Sequence, residues 1–223
     1  MKISFLQDVY TIIEELSGDC PGVGLPQGFN IDKSYYELFR SLQKKYGLTK
    51  IFLNNPERVK SLEEWRQIKP LIEKYRNFWL KNKYKLLRTL KTLEASIDLN
   101  WFVNSLSKVT RQEWNTPEVK VFLTLGYKDS GTYDRDHNLI RIGIHENKEE
   151  YLLYTLYHEL IHYHIVNHMK LKLTPKDEET LCRAIFNILF KEDLIAQRHW
   201  RENLSQEEIK KIEEKSKEIQ CLL

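Results

Sequence analysis

Three cysteines in 223 residues, none in a Cys-x-x-Cys pair, exclude a disulfide framework and a zinc ribbon, so Cys20, Cys182 and Cys221 are expected to be reduced thiols. There is no internal repeat and no low-complexity segment. No run approaches the roughly 18 apolar residues of a membrane span. Gln7 and Asp8 break the first apolar run at once, which is wrong for a signal peptide, and the chain is expected to be cytoplasmic with no membrane partner. An excess of one charge is missing too. The 35 basic and 32 acidic residues are interspersed, so nucleic acid is not an expected partner. No feature specifies an oligomeric state. What is present is ample apolar material, 41% of residues, enough for a sizeable core in one domain or one domain with a helical extension.

The organisation changes near residue 115. Before it, apolar spacing predicts helices through Ile3 to Leu16, Tyr35 to Tyr46 and Pro70 to about Ile97, with Pro56, Pro70 and the Gly/Pro-rich stretch from Gly18 to Gly28 as punctuation. The stretch from Leu71 to Leu93 reads as a core-facing stripe with a basic solvent face. After Pro117 the period drops to two: Val119 to Leu125 and Leu139 to Ile144 read as strands, and the turn-rich segment between them predicts a hairpin or two neighbouring strands. Asn147 with Glu150 caps a long apolar helix from about Lys148 to His168. Thr174, Pro175 and Asp177 open another, expected to run to about Asp193. Ser205 with Glu208 caps a last charged helix to about Gln220. The expected fold class is α+β, mostly helical, with residues 1–115 a helical region and residues 116–223 a core of short sheet, helix and helix.

The segment Tyr157-His158-Glu159-Leu160-Ile161-His162 holds an HExxH motif inside a predicted helix. Four residues advance a helix by little more than one turn, so both imidazoles project from one face and can grip one metal ion, zinc by preference. Glu159, about 100° round the helix from His158, is placed to act as general base rather than as a ligand. His164 points to the opposite side and is read as a surface or packing residue.

This arrangement resembles the zincin metallopeptidases, in particular the gluzincin branch and its small minimal-domain members, over roughly Val119 to Phe190. It is more loosely similar to the ImmA/IrrE-like and SprT/WLM-like peptidases. The resemblance implies a zincin-like core and a zinc-dependent peptidase acting on a peptide or protein. It implies a third metal ligand from a second helix, and Glu179 matches, with Leu181, Cys182, Ala184 and Ile185 at the expected apolar positions after it. Glu178 and His168 are the alternatives, His168 by its spacing from His158 and His162. An acid expected four residues after the ligand is replaced by Arg183. The resemblance further implies that substrate lies along an edge strand, for which Leu139, Ile140, Arg141 and Ile142 are the candidates. It also implies an oxyanion-stabilising side chain among Tyr154, Tyr163, Arg183 and His199. The competing reading is a metal-binding regulatory or stress-response protein with little or no peptidase activity.

Overall fold

The computed structural model describes residues 1–6, 29–125, 131–144 and 151–221. Both the Gly/Pro-rich stretch and the Asn147–Glu150 cap lie outside them. The described chain is mostly helical, with a four-stranded mixed sheet. The strands are β1 (Lys2–Leu6), β2 (Glu118–Thr124), β3 (Gly131–Asp134) and β4 (Leu139–Gly143). Their order is β1-β2-β4-β3, with β1, β2 and β4 parallel and β3 antiparallel on the outside.

Residues 2–6 are therefore not the start of a helix. Ile3 and Phe5 alternate with Lys2 and Ser4, and the register Ile3 to Val119 and Phe5 to Val121 satisfies their backbone groups on β2. Five residues fit either period, and a parallel partner 116 residues away in register decides for the strand. The strands expected at Val119 and Leu139 are neighbours, as one of the two alternatives had it. The turn-rich segment between them contributes a strand of its own, and the hairpin is β3 to β4.

The helices before the sheet are α1 (Lys33–Tyr46), α2 (Leu48–Asn54), α3 (Trp65–Ser96) and α4 (Leu99–Thr110), with a 3-10 segment at Pro56–Ser61. Helix α3 begins five residues before Pro70, which sits exposed in its second turn, where the carbonyl deprived of a partner can face water. After the sheet come α5 (Leu152–His164), α6 (Pro175–Leu189), α7 (Leu194–Arg201) and α8 (Gln206–Cys221). The helix expected to reach Asp193 stops at Leu189. Asp193 instead caps α7, its Oδ1 accepting the N–H groups of Ile195 and Ala196 at 2.9 and 3.0 Å.

The sheet separates two apolar layers. Val119, Val121, Leu123, Ile140 and Ile142 join Leu156, Leu160, Ile161 and Phe186 of α5 and α6. On the other face Phe122 and Leu139 join Phe39 of α1 and Ile68 and Tyr75 of α3. The 32-residue α3 serves both layers, its first half in one and Leu86 and Leu93 in the other. The boundary expected near residue 115 is thus crossed by the sheet through β1 and by the core through α3 and α4.

Candidate metal centre

Helix α5 carries the HExxH motif against the sheet, and α6 packs beside it, so the polar residues of both meet at the mouth of the apolar layer. Thr174 caps α6, with its hydroxyl accepting from the Asp177 N–H at 3.2 Å and Pro175 at the first helical position. This start places Glu178 and Glu179 opposite the histidines. The His158 Nε2 and His162 Nε2 atoms are 3.2 Å apart, and Glu179 Oε2 lies 3.0 Å from the latter and 3.5 Å from the former.

These spacings permit a test of whether the residues suit a metal. Tetrahedral bonds of about 2.0 to 2.2 Å place neighbouring donor atoms roughly 3.3 to 3.6 Å apart. Two nitrogens and one carboxylate oxygen therefore already stand near the spacing of a zinc triad. Glu178 completes the set in a different role: buried, it accepts from His162 Nδ1 at 2.8 Å, which fixes the tautomer and leaves Nε2 for an ion. Arg135, from the β3–β4 turn, pairs with the other oxygen of Glu178. Arg183, standing where the resemblance implies an acid, donates Nε to Glu179 Oε1 and Nη1 to the Trp200 carbonyl, tying Glu179 to α7. His158 Nδ1 is buried and meets no hydrogen-bond partner among the described residues. Cys182 lies beneath, fully buried, its thiol donating to the His158 carbonyl at 3.4 Å, and its sulfur and one nitrogen of each imidazole lie within 4.8 Å of one another.

The charges are mutually sustaining. Burial disfavours protonated imidazoles, yet the nearby Cys182 and Glu179 raise His158 to about 10 and, with Glu178, raise His162 as well. The histidines in turn hold Glu179 and Glu178 below the ordinary carboxylate range against their own burial. A divalent cation at this cluster would compete with protons for the same nitrogen and oxygen atoms. Glu159 behaves differently. Burial pushes its carboxyl up, opposed by His162, His158 and a backbone N–H from Tyr133 on β3.

All of these groups except Cys182 line or border a cleft of about 480 Å³, walled also by Gly131, Thr132, Tyr133, Thr155 and His199. Gly131 of β3 runs close over α5. A Cβ there would stand 2.7 Å from the Thr155 methyl and 3.0 Å from Glu159 Cγ. Gly131→Ala should therefore displace the Glu159 side chain and lower any activity dependent on it by more than tenfold, with the bound metal retained; paired activity and metal assays on the variant check this.

The remaining candidates fall elsewhere. His168 does not join the triad, because the chain leaves α5 through a π turn at Ile165–Met169 without the sharp reversal that would bring it round. Its ring packs 5.0 Å from Trp114, with Nε2 at 3.2 Å from Thr116 Oγ1. His164 is buried against Trp114 and Thr110, as a packing residue. The strand Leu139 to Ile142 is no edge: β4 lies between β2 and β3, and Leu139, Ile140, Arg141 and Ile142 are all buried. Among the described strands, the edge at the cleft is β3. Tyr163 stacks on Trp114 away from the cleft, and Tyr154 donates to Asp193 at 2.6 Å. Of the four side chains considered for the oxyanion, Arg183 and His199 line the cleft, and the former is engaged with Glu179. His199 reaches it because α7 exists as a separate helix, for which Asp193 was the available sequence signal. Comparison with family models, with curated proteins and with solved structures returns no match for this chain.

Proposed function

We propose that the protein is a zinc-dependent metallopeptidase with a zincin-like core. The observation that carries the reading is the convergence of His158 Nε2, His162 Nε2 and Glu179 Oε2 within 3.0 to 3.5 Å of one another, in an open cleft that also holds Glu159. His158, His162 and Glu179 would hold the ion, and Glu178 would orient His162. Zinc held by such a set supplies Lewis-acid chemistry to a carbonyl and a water in the cleft.

The chain's own residues support the rest. Glu159 is the proton-carrying group: burial raises its affinity for a proton, so it can take one from water and pass it to the leaving amine. Among the described strands β3 is the outermost and borders the cleft, so its rim offers an extended peptide a place to lie as an added strand beside Glu159, which takes the Tyr133 N–H. His199 faces the same cleft, its Nε2 3.1 Å from Thr155 Oγ1, where it can donate to a developing oxyanion. A purely structural metal site is normally closed by four protein ligands, whereas this one opens on a cleft and carries a buried carboxyl beside it. Among the described residues no helix is long and apolar enough to cross a membrane. The reading is tested by incubating the purified protein with a mixed peptide library: cleavage should stop on chelation and return with zinc, and a zinc-loaded protein that cleaves no peptide would favour a metal-binding regulatory role.

A further inference from the structure

Helix α3 carries seven Lys and Arg residues and no acid between Glu73 and Glu94, in a chain whose formal net charge is only +3. Its inward face is fixed by Tyr75, Leu86 and Leu93. Its outward face is not simply polar. Leu80 is 47% exposed, Tyr84 86% and Leu87 38%, and their spacing of four then three residues places them on one ridge about 60° wide. Three apolar side chains left in water at successive d, a and d positions are the pattern of a coiled-coil seam, narrower than the apolar face of a core-packing helix. In this register Lys81 and Arg88 fall at e and Lys83 at g, and all three are exposed.

We propose that this face of α3 docks an acidic amphipathic helix of a partner protein, the apolar ridge meeting the partner's a and d residues and the flanking cations meeting glutamates at its e and g positions. Charge chooses the occupant. A second copy of α3 would set Lys81, Lys83 and Arg88 against their own kind, which disfavours self-association. An anionic bilayer suits the cations, but a ridge three residues long and about 60° wide offers it little apolar area, because the opposite side of α3 is buried in the protein. The docking face lies on a different helix from the metal ligands, so the proposal stands apart from the peptidase reading.

The test uses the full chain and two labelled three-heptad peptides with Leu at a and d, one with Glu at all e and g positions and one with Lys. Fluorescence anisotropy should detect binding of the acidic peptide, weakening as salt rises, and no binding of the basic one. Lys81→Glu, Lys83→Glu and Arg88→Glu together should weaken the acidic peptide at least tenfold and admit the basic one. Tyr84→Glu alone, at a site too exposed to affect folding, should also weaken the acidic peptide. Equal binding of both peptides, binding of neither, or sedimentation with phosphatidylserine vesicles without peptide binding would overturn the proposal.

Discussion

Glu159→Gln is expected to remove about 10² to 10⁴-fold of peptide-hydrolysing activity while the protein keeps its zinc. The substitution preserves shape in a position only 6% exposed, and the amide can still accept from the Tyr133 backbone N–H. It cannot carry a proton between water and an amine. Neither His158 nor His162 loses its aim, because their orientation depends on Glu178, Glu179 and the α5 backbone. The check is a paired assay of turnover and metal content, and an active Glu159→Gln protein would remove the general base from the mechanism.

The second large effect is structural. Arg141 sits on the middle of β4, 2% exposed, and its Nη1 donates to Asp134 Oδ2 at 2.7 Å. Asp134 also organises the β3–β4 turn: Oδ1 accepts from the Asp136 and His137 N–H groups at 3.0 and 3.2 Å. Asp134→Asn removes the charged, hydrogen-bonded contact between Asp134 and the buried Arg141 guanidinium and should cost about 1 to 3 kcal/mol at neutral pH. The pH dependence follows from the carboxyl itself. Burial alone would raise it, but Arg141 and His137 hold it below its ordinary 3.8. An acid depressed in the folded state contributes stability that is present above the unfolded value and is lost as pH falls through the folded one. The stability gap between wild type and Asp134→Asn should therefore be level from pH about 5 to 8 and close below about 3.8. Urea unfolding across pH measures it, and a gap that stays constant into acid would contradict the ion pair.

The part of the site that was legible in the sequence is the part set by local periodicity. His158, Glu159 and His162 share one helix, and Thr174-Pro175 fixes the phase of the next, so their faces follow from 3.6 residues per turn. Glu178 and Glu179 could not be told apart this way. Adjacent on α6, they point about 100° apart, and their separate roles depend on how α6 lies across α5. Strand order was illegible for a related reason: β1 finds its partner 116 residues away, and nothing in Leu139 to Ile142 signals that β3, a short polar strand read as turn, covers its outer side. Near α7 the sequence between Leu189 and Leu194 contains neither Gly nor Pro, and only Asp193 marks the break that delivers His199 to the cleft.

The central claim is tested most directly by elemental analysis of the purified wild type beside His162→Ala, Glu179→Ala and His168→Ala. The account predicts about one zinc per chain in the wild type and in His168→Ala, and loss of it in His162→Ala and Glu179→Ala. Wild-type protein without zinc after growth and purification in its presence, or zinc retained by Glu179→Ala, would contradict the ligand set on which the proposed function rests.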